Sequence, residues 1–426
     1  MHELTRLILD DMKPALGVTE PGAIALAVST AKSRVPGDIR RISLRLNSGM
    51  YKNAFTCGIP GTSQVGNEYA AALGAIAADP KKGLECLDGI TEEQVREAGR
   101  LIADGRIQVS MSGISSRIFI EASVVTDTGS ASVTIRDSHT NIVKIIENGQ
   151  TVWEKKGQEE PEDSLPPLIH RYSLKQLLSY VREVPLEEIR FIQAAHTMNL
   201  QLAEEGLKSP RTTFSRCLLE ENGGMMISGD EQKTASLLCN AAIEARVIGL
   251  ARPAMSITGS GAHGIIATLP LYASCRVRRY SEELLLRATA LSYLVCMYIK
   301  EYSGKLSAFC GCAIAAGTGM ACGLAYLRGG TETEMEYTIN NMASSITGMI
   351  CDGGNQGCVM KGVVAVDAAY RSADLAMKGI HISKVHGING NTPEETMRCM
   401  GLIASPGMVE TEKTIVEILE HKASGH

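Results

Sequence analysis

RIQVSMSG (106–113), RIFIEASVVTD (117–127), SASVTIRDSH (130–139) and NIVKIIENGQ (141–150) follow one another with short breaks bearing Gly, Ser and Asp. Val, Ile, Thr and Phe dominate these runs and alternate with polar residues, the period of a strand with one face buried. Breaks this short suit antiparallel neighbours, so the spacing predicts an antiparallel meander at the core of an α+β domain. RRISLRL (40–46) alternates in the same way. Upstream, residues 2–13 and 20–33 have helical spacing and are separated by Pro14 and the turn GVTEPG (17–22). Thr19 reads as the cap of the second helix, with Glu20 and Pro21 in its first turn, where a carboxylate and a proline are both favoured. NSGMYKNAFTCGIPGT (47–62) reads as a loop containing Lys52 and Asn53, followed by an alanine-rich helix at 66–78 and a charged one at 91–104.

Downstream, EKKGQEEPEDSLPPL (154–168) has the charge and proline content of a linker. From about 173 the apolar residues recur at i, i+3, i+4 in one segment after another, at 186–206, 230–249, 282–301, 311–327, 333–348, 361–376 and 409–422. The expected class is α+β: an N-terminal α+β domain (1–172) and a larger all-α domain (173–426). A chain of 426 residues is about three times the usual domain length, which fits two or three domains.

Hydrophobic residues make up 44% and charged residues 21%, enough for a sizeable core. Aromatics are only 4%, so the helices must pack through Ala, Leu, Ile, Met and Gly at close range. The net charge of −5 and the lack of a basic stripe argue against nucleic-acid binding. RVRR (276–279) reads as a solvated face or a helix start. No run of 18 apolar residues appears, so no membrane span is expected. Twelve cysteines without a signal-peptide layout read as reduced thiols, and a cytoplasmic location is expected.

The chemistry-bearing stretches are CGCAIAAGTGMACGLAYLRGG (310–330) and SSITGMICDGGNQGCVMKG (344–362). Cys351 and Cys358 bracket a Gly-rich loop between helical segments, and a third cysteine lies at an upstream helix start. Glycine lets backbone approach a bulky group, and three thiolates so placed suit an iron–sulfur cluster. Spacing alone leaves the plain buried cysteine equally open. SITGSGAHGIIA (256–267) offers backbone N–H groups to a carboxylate or phosphate, or is an ordinary tight turn. It lacks both the strand that precedes a dinucleotide fingerprint and the ending of a P-loop.

LGVTEPGAIALA (16–27), YKNAFTCGIPGT (51–62), SHTNIVKI (138–145), GSGAHGIIATLP (259–270), the two cysteine stretches and SPGMVETEKTI (405–415) occur in an order that resembles the iron–sulfur-dependent L-serine dehydratase α-chain family, closest to its L-cysteine desulfidase branch. The resemblance implies a [4Fe–4S] cluster on Cys312, Cys351 and Cys358, with Cys310 the alternative first ligand. It implies β-elimination from a small amino acid such as L-cysteine or L-serine, giving a 2-oxo acid and ammonia. His263, His139 and Lys52 become the candidate proton-handling residues, and Thr19, Asn53, Asn141, Ser260 and Gly261 the substrate contacts. A homodimer is expected. Two positions depart from the branch: Val18 stands where it has a cysteine, and Ala262–His263 where it has Asn-Gln, which puts cysteine as substrate in question. The alternatives are a dehydratase of another hydroxy or amino acid, a non-catalytic ligand-binding homologue, or a zinc-binding or metal-free protein. Each candidate also has a plain reading: His263 and His139 as structural histidines, Lys52 as a solvated loop lysine, and Lys361 as either a counter-charge to the cluster or a solvent-facing residue.

Overall fold

A computed structural model describes residues 1–155 and 166–424; most of the linker expected at 154–168 lies outside the described residues. The chain is α+β, with eight strands among the described residues. These are β1 (Lys13–Leu16), β2 (Ile39–Asn47), β3 (Ile107–Gly113), β4 (Phe119–Thr126), β5 (Ser130–Arg136), β6 (Ile142–Glu147), β7 (Gln150–Glu154) and β8 (Pro253–Ser256). Six of them form one sheet in the order β3-β2-β4-β5-β6-β7.

From β4 to β7 the strands run as the expected antiparallel meander. The first run of the predicted meander behaves differently. β3 does not pair with β4; it lies on the far side of β2 and parallel to it, Ile42 opposite Ile107, while β2 pairs antiparallel with β4, Ile42 opposite Val124. The cause is the connection: β2 and β3 are joined through the helices Ser48–Ala54, Gly66–Ile76 and Glu92–Ala103, and a helical crossover returns the chain parallel to where it left. Alternation sets the buried face, with Ile42, Leu44 and Leu46 of β2, Ile120, Ala122 and Val124 of β4, and Ala131, Val133 and Ile135 of β5 all buried. The helices Thr19–Lys32 and Gly66–Ile76 cover that face.

The second half is helical. Glu231–Val247, Gly261–Arg278, Glu282–Ser303, Gly317–Leu327 and Gly357–Ala376 pack against one another as its centre. The scarcity of aromatics has the expected consequence. A side chain at Gly319 would come within 2.2 Å of the Ser292 carbonyl oxygen, so two helix backbones meet where only glycine fits. The two halves are tied directly: β1 pairs antiparallel with β8, Lys13 opposite Ser256, and the Ser256 hydroxyl donates to the Lys13 carbonyl at 2.7 Å.

Four local expectations change. Lys52 and Asn53 lie on the Ser48–Ala54 helix and not in a loop, because Met50, Tyr51 and Ala54 give that segment a buried apolar face. Thr19 is the first residue of its helix; Val18 holds the cap position, and the Thr19 hydroxyl donates to Glu20 Oε2 at 3.1 Å. RVRR is a solvated face, as expected, but it ends rather than starts a helix, closing Gly261–Arg278 with Arg279 left-handed at its cap. The GSGAHG turn does follow a strand, β8, but that strand has only an antiparallel partner, so no βαβ dinucleotide unit exists there.

Candidate active site

Backbone pairing brings the cysteine segments together. Phe309 bridges Ile350, the Cys310 amide donates to the Met349 carbonyl at 3.0 Å, and the Cys351 amide donates to the Ala308 carbonyl at 2.6 Å. Cys312 opens a π-helical turn (Cys312–Ala316) that runs into the Gly317–Leu327 helix; such turns carry a local widening and recur at functional sites. Cys358 sits in the first turn of Gly357–Ala376 and its thiol reaches the Gly353 carbonyl at 3.5 Å. The loop between Cys351 and Cys358 leans on the Ser48–Ala54 helix: Gly354 N–H donates to the Asn53 carbonyl at 3.1 Å, and Gly353 (φ 110°) lies so close to the Lys52 carbonyl that a side chain would approach it to 2.5 Å. The Cys351 thiol contacts Asn53 Oδ1 at 3.8 Å.

The four sulfurs feel one another. The hydrogen bond from Cys312 brings the Cys310 thiol down to about 7 against its burial, with the Ala313 and Cys312 amides and Lys361 assisting. Burial pushes Cys358 up to about 11, reinforced by Cys351 and Cys310. Burial also raises Cys351, which Lys52 and Lys361 oppose. Cys310 is buried, whereas Cys312, Cys351 and Cys358 are each partly accessible. Lysines surround the group. Lys361 is ion-paired with Asp352; burial would lower it, but Asp352 and the sulfurs of Cys351, Cys310 and Cys358 hold it protonated. Burial brings Lys300 down to about 8, against the pull of Cys296, Cys312 and Cys351. Among the described residues, no three His, Cys, Asp or Glu side chains are gathered as tightly as a single metal ion requires.

His263 comes in from the first turn of Gly261–Arg278. The Thr258 hydroxyl donates to the Ile257 carbonyl at 2.7 Å and stands 2.5 Å from His263 Nδ1, which leaves that nitrogen to donate and Nε2 bare. Burial lowers His263 well below the usual histidine range, helped by Lys300 and Arg246, so the ring is neutral. Its Nε2 lies 2.7 Å from where a Gly311 side chain would begin, against the residue between Cys310 and Cys312. Glu20 stands behind. Burial would raise its carboxyl, but His139, Asn53 and Arg246 outweigh that and hold it at about 2. Asn53 Nδ2 donates to Glu20 Oε1 at 3.0 Å, and His139 Nε2 is 3.6 Å from the same oxygen. Lys52 is fully buried, pairs with Glu412 at 2.6 Å and donates to the Ser307 carbonyl at 3.2 Å, so the solvated-loop reading of this lysine does not hold.

With this geometry in place, relatives can be compared. A model of the serine dehydratase alpha chain matches residues 81–417. The chain belongs to the serine dehydratase alpha-chain family. A UPF0597 protein of Clostridium botulinum (strain Langeland / NCTC 10281 / Type F) is 42% identical over 98% of both chains. UPF0597 proteins of Caldanaerobacter subterraneus subsp. tengcongensis and Aeromonas salmonicida are each 35% identical, covering 98% of this chain and 98% and 96% of their own. At the family level the chain is a lyase-like enzyme of amino-acid catabolism. No helix among the described residues is long and apolar enough to cross a membrane.

In this serine dehydratase homologue, the fold gathers most residues named from sequence. Asn53, His139 and Thr19 meet at Glu20, while His263 and Gly261 share one helix turn with Ser260 at its cap. Asn141 is directed elsewhere, donating to the Arg136 carbonyl and accepting from Lys155, both at 2.9 Å. Cys322 is fully buried in the Gly317–Leu327 helix and packs as a hydrophobe. Sequence reasoning missed Lys300, Arg246 and Glu412, and took Glu20 for a helix-start charge. Lys300 had a signal: it directly follows the uncharged run from Ala288 to Ile299 of its helix. A cavity of about 430 Å³ opens beside the cysteine loop, lined by Thr56, Gly58, Arg211, Asn355 and Gln356. A larger one, about 850 Å³, lies between the Gln193–Lys208, Gly261–Arg278 and Glu282–Ser303 helices and is lined by none of the candidate site residues.

Proposed function

We propose that the chain is a [4Fe–4S]-dependent lyase that eliminates the β-substituent of a small amino acid such as L-serine or L-cysteine, releasing a 2-oxo acid and ammonia. The observation that carries this reading is that three adjoining segments bring partly accessible thiols, Cys312, Cys351 and Cys358, close enough to act on one another and on Lys52, Lys300 and Lys361. The donor set fits a cluster: soft sulfur ligands, glycine backbone beside them, and cations to offset the negative charge of thiolate-bound iron and sulfide. Cys310, the more acidic of its pair, remains the alternative to Cys312 as ligand. When bound, such a cluster supplies a Lewis-acidic iron that polarises the bond to the leaving hydroxyl or thiol.

The remaining steps belong to the chain's own residues. His263, neutral and with Nε2 bare beside the cysteine turn, accepts the α-proton. The electron pair of the broken C–H bond forms the C=C bond as the β-substituent departs with its own pair and takes up a proton. The enamine product becomes the imine, and water converts it to 2-oxo acid and ammonia. Asn53 and His139 orient the substrate around Glu20, and Lys52 fixes the helix that carries Asn53. Val18 is buried against Gly354 and carries no ionisable group, so proton transfer here does not use position 18. Protein purified without oxygen is expected to release equal ammonia and 2-oxo acid from at least one of L-serine, L-cysteine and other β-substituted amino acids. Iron-replete protein that releases neither from any of them would instead be a binding homologue.

A further inference from the structure

Arg246, near the end of the Glu231–Val247 helix, is 4% exposed, and its side chain has no hydrogen bond or ion pair among the described residues; its Nε is buried without a partner. Taking a guanidinium out of water without an anion is costly, so a buried, unpaired arginine marks a place where an anion belongs. What surrounds it has the same character. Its Nε lies 2.8 Å from where a side chain on Gly261 would begin, so the guanidinium rests against the first residue of the 18-residue Gly261–Arg278 helix. Ser260 caps that helix without a side-chain hydrogen bond, so its first amides have no capping acceptor. Across the turn His139 Nε2 is buried without a hydrogen-bond partner, and its Nδ1 lies near Gly259. Two unsatisfied donors of different origin, the guanidinium and the opening amides, therefore meet at one glycine turn, with His139 between them and Glu20. One carboxylate stands near, that of Glu20, whose Oε2 accepts only from Thr19 next door.

We infer that Arg246 and the amides opening the Gly261–Arg278 helix bind the α-carboxylate of the substrate, while Glu20 receives its α-ammonium. The site is thus a two-ended clamp for a zwitterionic amino acid and discriminates against hydroxy acids. This rests on the proposed reading of the site and narrows its substrate class. A planar guanidinium beside aligned N–H groups matches the two oxygens of a carboxylate, and an anionic side chain facing it rejects a second negative charge.

The test measures thermal stabilisation of anaerobically purified protein by L-serine, L-cysteine, L-alanine, L-serinamide and lactate, with iron and sulfide assayed on the same samples. Wild type is expected to be stabilised by at least one of the free amino acids, less by lactate and not by the amide. Arg246→Gln and Gly261→Ala, which would push the guanidinium aside, should raise the apparent Kd for that amino acid at least tenfold, with Arg246→Lys recovering part of it. Glu20→Gln should abolish the preference for the amino acid over lactate. The clamp is overturned if the amide stabilises as well as the acid, if Arg246→Gln and Arg246→Lys both respond like wild type, or if no amino acid of the set stabilises wild type. Selective binding by protein that holds no iron would leave the clamp standing and sink the iron–sulfur lyase reading; iron with unselective binding would do the reverse.

Discussion

Glu20 shows how far a residue can be read in advance. In sequence it is an acid beside a proline at a helix start, and that description is sufficient without any tertiary partner. Its actual setting depends on Asn53, His139 and Arg246, up to 226 positions away (246 − 20), and no local pattern announces them. The same holds for Arg246, which looks like a favourable cation in the last turn of its helix. The cysteines were legible for the opposite reason: Cys351 and Cys358 are tied to each other through a short glycine loop, so sequence neighbours are also spatial neighbours. The burial of Glu20 yields a prediction with a definite sign. Its folded carboxyl titrates at about 2, below the ordinary 4.5, so the ionised form stabilises the fold above pH 4.5 and that contribution is lost as pH falls toward 2. The shift corresponds to roughly 3 kcal/mol at 1.36 kcal/mol per unit. Denaturant unfolding of metal-free protein between pH 5 and pH 2 should therefore show a steeper loss of stability for wild type than for Glu20→Gln. Parallel curves would mean that the carboxylate gains nothing from its neighbours.

At the level of elements, the clearest failed expectation has a tertiary cause. The segment 47–54 looks like a loop because Asn, Ser and Gly open it, yet it is a short helix held by tertiary contacts. Part of what holds it is the helix Val409–Ser424, whose Glu412 pairs with Lys52 in the interior. A single buried ion pair thus fastens the C-terminal helix to the element that supports the cysteine loop. Removing one partner of a buried pair leaves an uncompensated charge and costs about 3–5 kcal/mol. Glu412→Gln should lower the stability by an amount of that order and increase amide exchange across 409–424. Lys52→Met combined with Glu412→Leu should recover most of it, since replacing both charges by packed apolar groups is often close to neutral. A double variant as unstable as the single one would place the weakness elsewhere.

For the whole molecule, the α+β class was legible because runs of period 2 cluster between residues 106 and 150 while period 3.6 recurs from about 173 onward. The placement of β3 was not, since alternation fixes which face of a strand is buried but says nothing about which neighbour it joins. Nor did the sequence reveal the β1–β8 ladder, four residues long on each side, that ties the N-terminal segment to the strand before the GSGAHG turn. That ladder, the 48–54 helix and the two cysteine segments bring the glycine turn, Glu20 and the thiols to one place from both halves of the chain. The measurement that tests this account most directly is iron and sulfide content, with the visible spectrum, of protein prepared strictly without oxygen, for wild type, Cys351→Ser and Cys322→Ser. About four irons and four sulfides per chain with broad visible absorbance, lost in Cys351→Ser and kept in Cys322→Ser, is the predicted result. Wild-type protein without iron, or iron that survives Cys351→Ser intact, would contradict it.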